Sequence, residues 1–305
     1  MTHTEIRPMS VRAWLAFVRP VTLGVAVAPV LASLALVYYE NQVLQIPLAI
    51  FTMTLAVLMQ VISNMQNDYG YTLRKAERVD RKGLPRATAN QWIPMSVARK
   101  AIFFTMFLAL CNTGIMIYFG GWAFLFIGIS SIFMAWAYMG GPKPIAYTPW
   151  GEITVLIFFG LIAVVGTNYL QTHEITFSSL GLGFAIGSIA TAVLLVNNWR
   201  DRVHDQRVGR CTLAVCLSDC AVIYLYRFLL LLPYCVIFIL VFLQQLPWTS
   251  LIVFFTLWKA WKLTVDFTKK QGNDLNDVLK GTVSLEMQFA FIFVLGMLFA
   301  RYIGV

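Results

Sequence analysis

The sequence predicts an all-α polytopic membrane protein with nine transmembrane helices around a central cavity open to the cytoplasmic side. Three observations carry that prediction. Of 305 residues, 59% are hydrophobic and only 12% charged, with a mean hydropathy of +0.73; so little polar surface cannot cover a soluble globule. Apolar runs of about 20 residues, the length that crosses roughly 30 Å of hydrocarbon, recur along the whole chain. Among the connections between those runs, only alternate ones carry lysine or arginine, which is the charge asymmetry that fixes orientation in a membrane.

The expected spans run 21–38, 46–67, 101–119, 122–139, 151–170, 178–197, 221–243, 248–265 and 282–303. Ahead of them, residues 1–20 form an interfacial segment in which Trp14, Leu15, Phe17 and Val18 mix with Arg12 and Arg19. That stretch lacks the apolar core and small-residue cleavage site of a signal peptide. Arg7, Arg12 and Arg19 precede span one, whereas Glu40-Asn41-Gln42 after it holds no lysine or arginine. Between spans two and three lie Arg74, Lys75, Arg78, Arg81, Lys82, Arg86, Arg99 and Lys100, and Gly120-Gly121 follows span three without charge. Lys143 follows span four, Arg200, Arg202, Arg207 and Arg210 follow span six, and lysines from Lys259 to Lys280 cluster around the end of span eight. The connections at 171–174 and 244–247 have neither lysine nor arginine. The N-terminus is therefore expected on the cytoplasmic side, with the formal charge of +9 concentrated there, where it attracts anionic head groups and phosphorylated substrates. No nucleic-acid partner is expected.

Two acidic, amide-rich clusters stand where an apolar run meets a basic segment: Asn64-Met65-Gln66-Asn67-Asp68, and Asn197-Asn198-Trp199-Arg200-Asp201 extended by Asp205. Carboxylates at the edge of hydrocarbon are costly to desolvate and mark functional sites in membrane chains. Asn64 and Asp68 are four apart, as are Asn197, Asp201 and Asp205, so each set shares one face wherever the helix continues. Hard oxygen donors suit Mg²⁺, which takes its other ligands from water and phosphate. Opposed across a cavity, the two faces would hold a diphosphate. A bland alternative exists for the first cluster, since Asn67-Asp68-Tyr69-Gly70 also reads as a helix end and turn.

Further stretches extend the pattern: Arg19-Pro20-Val21-Thr22-Leu23, Gly151-Glu152-Ile153-Thr154-Val155 with Phe158-Phe159-Gly160, Gly166-Thr167-Asn168-Tyr169-Leu170-Gln171, the run from Asn197 through Asp205 to Gly209-Arg210-Cys211-Thr212-Leu213, and Leu275-Asn276-Asp277-Val278-Leu279. Together they resemble the UbiA-type intramembrane aromatic prenyltransferases, most closely the menaquinone-pathway branch that prenylates 1,4-dihydroxy-2-naphthoate. The resemblance implies a single membrane domain over residues 1–305 in a bacterial cytoplasmic (inner) membrane, with Mg²⁺ as cofactor, and a polyprenyl diphosphate and an aromatic acceptor as substrates. It implies metal ligation by Asn67, Asp68, Asn197, Asp201 and Asp205. Asp68, Asp201 and Asp205, with Arg200 and Lys143, would act on the leaving diphosphate; Asn64, Asn67, Asn197, Asn198, Arg19 and Arg210 would bind substrate. Tyr138 and Tyr147 would shelter the carbocation through their ring faces, and the lipid tail would leave sideways into the bilayer.

One departure stands out. The family's first motif runs Asn-Asp-x-x-Asp-x-x-x-Gly-x-Asp, and here Tyr71, Lys75 and Glu77 stand at the last three fixed positions. A phenol stays protonated until about pH 10 and is a poor Mg²⁺ ligand; Lys75 could supply charge instead, and Asp80 lies nearby. That change keeps three alternatives open: another aromatic acceptor or prenyl cyclisation on the same fold, a catalytically impaired homologue, and, from another class, a transporter, whose charged groups should lie nearer mid-membrane. Five cysteines without a zinc-type spacing read as small thiols on the reducing side. His204 reads as a solvated or supporting residue, since Mg²⁺ prefers oxygen, and Gly183-x-x-x-Gly187 as a helix-packing signal.

Overall fold

The computed structural model describes residues 6–41, 43–76 and 85–305, and among them every regular element is helical. Glu77 and Asp80 lie outside the described residues. Seven helices are long and apolar enough to cross a membrane. The other two expected crossings are less regular: residues Ala123–Ala137 form a shorter apolar helix, and the 248–265 span is split into a 3₁₀ stretch, Trp248–Thr256, and an α-helix, Leu257–Lys269.

The first helix, α1 (Val11–Val18), is capped by the Ser10 hydroxyl, which accepts from the Ala13 N–H. It stops at Arg19, whose φ of 55° is left-handed, because the following Pro20 disfavours α geometry in its predecessor and cannot donate to the previous turn. The expected interfacial segment is thus a separate helix, joined through a short 3₁₀ turn to α2 (Gly24–Asn41).

The helices that carry the two clusters are both long. α3 (Ile46–Leu73) has 28 residues and α7 (Phe177–Arg207) has 31, so at 1.5 Å per residue each exceeds the roughly 30 Å hydrocarbon thickness by about 12 Å or more. Both continue past the expected ends at 67 and 197, because the charged residues that end the hydropathy signal do not interrupt backbone hydrogen bonding. The helix-end reading of Asn67-Asp68-Tyr69-Gly70 therefore falls, and Asn64 with Asp68, like Asn197 with Asp201 and Asp205, does share one helical face.

Between them come α4 (Met95–Gly120), α5 (Ala123–Ala137) and α6 (Gly151–Thr172), the last containing a π-helical turn at Leu156–Ile162. A glycine interlock seats that turn against α7: a Cβ on Gly160 would lie 2.5 Å from the Gly183 carbonyl and 2.6 Å from the Gly187 Cα. The glycine pair read as a packing signal is used in that contact, which brings two backbones together as small residues do in membranes. After α8 (Asp219–Phe242), α9 (Leu257–Lys269) and α10 (Leu275–Ile303) complete the chain. The largest apolar core lies among α2, α7, α8 and α10 and includes Leu36, Ile189, Leu230, Phe289 and Phe293. Inside it the Tyr226 and Thr282 hydroxyls pair at 2.8 Å, where hydrocarbon offers them no alternative. All five cysteines are free and exposed.

Candidate active site

A cavity of about 230 Å³ opens among α2, α3, α5, α6 and α7. Its walls are mostly apolar, with Val30, Leu55, Phe124, Phe158 and Phe159 among them; the π turn contributes Phe158 and Phe159. Arg19, Gln60, Asn64, Asn67, Tyr138 and Asn197 line it with polar atoms. Five of the residues singled out from sequence thus meet at one place: Arg19, Asn64, Asn67, Tyr138 and Asn197.

Each amide is held from behind. The Asn64 amide nitrogen donates to the Val18 carbonyl at 2.7 Å and to the Thr22 hydroxyl at 2.9 Å, while its oxygen accepts from Gln60 at 3.1 Å. This stitches the Arg19-Pro20 bend to α3 and aims Arg19 into the cavity. Asn67 Oδ1 accepts from Arg86 Nη1 at 3.2 Å, and Asn197 Oδ1 accepts from Arg200 Nη2 at 2.8 Å.

The carboxylates stand behind the amides and do not line the cavity. Asp68 is fully buried and accepts from the Ala87 N–H at 2.9 Å, the Thr88 N–H at 2.9 Å and the Thr88 hydroxyl at 2.6 Å, with Arg19 Nη2 at 3.9 Å. Asp201 forms a two-pronged pair with Arg200, at 2.9 Å from Nε and 2.8 Å from Nη2, and a third arm of that guanidinium donates to Asn276 at 2.7 Å. Asp205, also fully buried, accepts from Arg210 Nη1 at 2.7 Å.

Tyr71, the departure from the family pattern, sits where the two motifs touch. Its hydroxyl donates to Asp205 Oδ1 at 3.3 Å and accepts from Arg210 Nη1, and the Arg86 guanidinium lies 3.6 Å above its ring. A planar guanidinium over a phenol face is an attractive cation–π arrangement. One buried network therefore runs from Asn67 through Arg86 and Tyr71 to Asp205 and Arg210, joining α3 to the chain after α7. Burial pushes the Arg210 guanidinium down to about 9, which leaves it charged at neutral pH. His204 is buried and stacks against Tyr71 with ring centroids 6.5 Å apart, so it is a supporting residue and not a solvated one.

Other expected residues lie apart. Lys143 is exposed between Pro142 and Pro144 and does not line the cavity. Asn198 faces away from it and donates to Glu152 at 2.9 Å. Tyr147 flanks the network, with the guanidiniums of Arg74 and Arg210 at 5.7 and 5.6 Å from its ring; burial raises its phenol above the ordinary range. The loop that carries Lys143 and Tyr147 is clamped by Arg74, which donates to the Met139 carbonyl at 2.6 Å, and by Arg210, which donates to the Ala146 carbonyl at 2.9 Å. A Cβ on Gly70 would lie 2.9 Å from that Met139 carbonyl, so the close approach requires glycine.

Sequence reasoning missed Arg86, Arg74, Gln60, Glu152 and Asn276 as members of this arrangement. The first two stand in a basic loop that topology alone accounts for, and the pattern of residues around them carried no separate signal. Asn276 and Glu152 stood inside stretches noted for resemblance, without a role.

Among the described residues, no group of three or more His, Cys, Asp or Glu side chains converges as a metal cluster. The donor set nonetheless has the chemistry of a Mg²⁺ site, being amide and carboxylate oxygens only. Of its members, Asn67 and Asn197 reach the cavity wall, and Asp201 stands one turn beyond Asn197 on the same face of α7.

Comparison with known proteins matches residues 26–292 to the UbiA prenyltransferase family. The 1,4-dihydroxy-2-naphthoate octaprenyltransferase of Escherichia coli is 33% identical over 71% of this chain and 72% of its own length. The enzyme of that name from Mycobacterium tuberculosis is 32% identical over 77% and 79%, and that from Bacillus subtilis 26% over 93% and 91%. Among solved structures, a UbiA homolog from Archaeoglobus fulgidus bound to GPP and Mg²⁺ shares the fold with a TM-score of 0.65 at 13% identity, covering 92% of this chain and 99% of that one.

Proposed function

The chain belongs to the UbiA prenyltransferase family, and from that membership we propose that it transfers a polyprenyl group from polyprenyl diphosphate to 1,4-dihydroxy-2-naphthoate in menaquinone synthesis. The observation that carries this reading is the composition of the cavity: an amide- and arginine-lined end fed by both motifs, opening into an apolar body. One end suits a diphosphate, the other an isoprenoid chain.

In this reading the carbon–oxygen bond to the diphosphate breaks, a carbon–carbon bond forms to the electron-rich ring, and the attacked ring carbon sheds its proton, or its carboxyl group as carbon dioxide, to restore aromaticity. Arg19, Asn67 and Asn197 orient the diphosphate by hydrogen bonds from groups already fixed in place, with Asn64 holding the Arg19 bend against α3, so little reorganisation accompanies charge development. Arg200 and the buried Arg210, each paired with a carboxylate behind the wall, contribute positive charge as those pairs loosen around the diphosphate. Asn67, Asn197 and Asp201 would hold Mg²⁺, with the charges of Asp68 and Asp205 close behind; the metal supplies further compensation for the departing diphosphate. Tyr138 offers its ring face to the cation, Val30, Leu55, Phe158 and Phe159 exclude water from it, and the distal part of the chain leaves sideways into lipid.

The seven long helices, together with α5 and residues 248–269, make nine crossings in this reading, and the cavity's polar end faces the cytoplasm of a bacterial inner membrane. The alternation of basic loops supports that orientation. The test is incubation of purified protein with radiolabelled polyprenyl diphosphate and a panel of aromatic acids, with and without Mg²⁺. Labelled product with 1,4-dihydroxy-2-naphthoate, dependent on Mg²⁺, is expected; transfer to none of the acids, or only to others, overturns the assignment.

A further inference from the structure

A second depression, of about 410 Å³, lies between α9 and α10 and shares no lining residue with the central cavity. We propose that it binds the headgroup of an anionic phospholipid.

Its position is set by the amphipathic character of α9. Ala260, Leu263, Thr264 and Phe267 are buried against the bundle, while Trp258 and Trp261 are 69% and 64% exposed, with Phe255 just before them at 74%. In a chain that spans a membrane, such a face meets lipid, and tryptophan concentrates at the headgroup level. Lys259 and Lys262 stand among these aromatics, three residues apart and so on neighbouring positions of one helical face.

Asp266 and Asp277 also line the depression, but among the described residues neither forms an ion pair with Lys259 or Lys262. Lys259 Nζ donates to Ser284 Oγ at 2.8 Å and to Gln288 Oε1 at 2.9 Å, both neutral groups on α10. Those two bonds fix the direction of the charge without neutralising it, and leave one of three donors over. In contrast, the neighbouring Lys270 pairs with Asp266 at 3.6 Å. Three lysines against two aspartates leave the lining with a surplus positive charge, and a fixed cation beside hydrocarbon is costly unless a counter-charge joins it. Lipid phosphate is the anion present in that plane, and basic pockets between transmembrane helices bind such head groups.

Shape agrees with charge. Gly281 on α10 lines the groove opposite Leu263, and a Cβ there would come within 2.6 Å of the leucine Cδ2. The missing side chain keeps the groove open, and Trp258 walls its lipid side. The phosphate is placed between Lys259 and Lys262, with the acyl chains along the exposed aromatic face.

The experiment is native mass spectrometry of the full-length protein in detergent, with phosphatidylglycerol, phosphatidylcholine or inorganic phosphate added in parallel. Wild type should retain phosphatidylglycerol in clear preference to phosphatidylcholine. Lys259→Gln with Lys262→Gln should weaken that retention about 30-fold, and Lys262→Gln alone, which leaves the Ser284 and Gln288 bonds intact, about fivefold. The single variant decides the matter should the double variant unfold, and prenyl transfer in the single variant should match wild type. Equal retention of the two lipids, unchanged retention in Lys262→Gln, or displacement of phosphatidylglycerol by millimolar phosphate overturns the proposal; the last result would make this a free-anion site.

Discussion

Motif one and motif two put the same chemistry on the cavity wall, an asparagine from each at Asn67 and Asn197, yet they support it differently. Behind Asn67, Asp68 is met by two backbone N–H groups and a hydroxyl from residues 87–88. Behind Asn197, Asp201 and Asp205 are each met by a guanidinium. In the first arrangement the short bonds go to backbone and hydroxyl groups, with Arg19 farther off at 3.9 Å, and they fold a basic loop over the site. The second is charge-balanced, so a diphosphate and its metal would have to be accommodated by loosening pairs that are already satisfied. In one chain, then, a carboxylate can be chiefly a clasp in one motif and part of an adjustable ion pair in the other.

The comparison is broken most directly at Asp205. Asp205→Ala would leave Arg210 buried without its counter-ion, which costs about 3–5 kcal/mol, and should lower the thermal midpoint in detergent. Asp201→Ala should lower prenyl transfer by about 10² or more, as when a group acting in the transition state is lost, and wild-type turnover in the folded variant would remove motif two from the site.

Asp68→Asn tests the clasp. The amide retains one acceptor oxygen but replaces the other with a donor facing an N–H group, so a destabilisation of about 1.5–3 kcal/mol is expected. Its signature should be faster proteolysis in the 85–94 loop, with no equivalent change at Arg210; a stable variant that loses only activity would make Asp68 a direct participant instead.

Tyr71→Phe removes the hydroxyl at the junction but keeps the ring beneath Arg86. A loss of about 1 kcal/mol is expected, together with a shift in the Mg²⁺ concentration needed for half-maximal transfer, because Asp205 loses a partner. An unchanged Mg²⁺ response would separate Tyr71 from the metal region. The smallest effect belongs to Lys143→Gln, an exposed change expected to stay within about 0.5 kcal/mol in stability and within about twofold in transfer; a large loss of activity would bring the Lys143 loop back into the reaction.

Much of this was legible in the sequence because it depends on spacing. Asn197, Asp201 and Asp205 repeat every four residues, and helix α7 does carry them through on one face. Gly183 and Gly187 announced a close helix contact, though Gly160 as the partner was not visible. The ends of α3 and α7 are not legible in hydropathy, which falls at the first charges while the helical hydrogen bonds continue to Leu73 and Arg207. The π turn in α6 and the 3₁₀ stretch before α9 are decided by packing, to which local composition is blind. Arg86 was read only as part of a basic loop, because its stacking on Tyr71 and its bond to Asn67 exist only once α3 and the 85–94 segment are brought together.

The central claim is that the cavity fed by both motifs binds the prenyl diphosphate. A prenyl diphosphate bearing a photoactivatable group on its isoprenoid chain, irradiated with the purified protein and mapped by mass spectrometry, tests it directly. Label on Leu55, Phe124, Phe158 or Phe159, suppressed by excess unlabelled polyprenyl diphosphate, is the predicted result. Competable label confined to the outer face of α9, around Trp258 and Trp261, with none on the cavity wall, would contradict it.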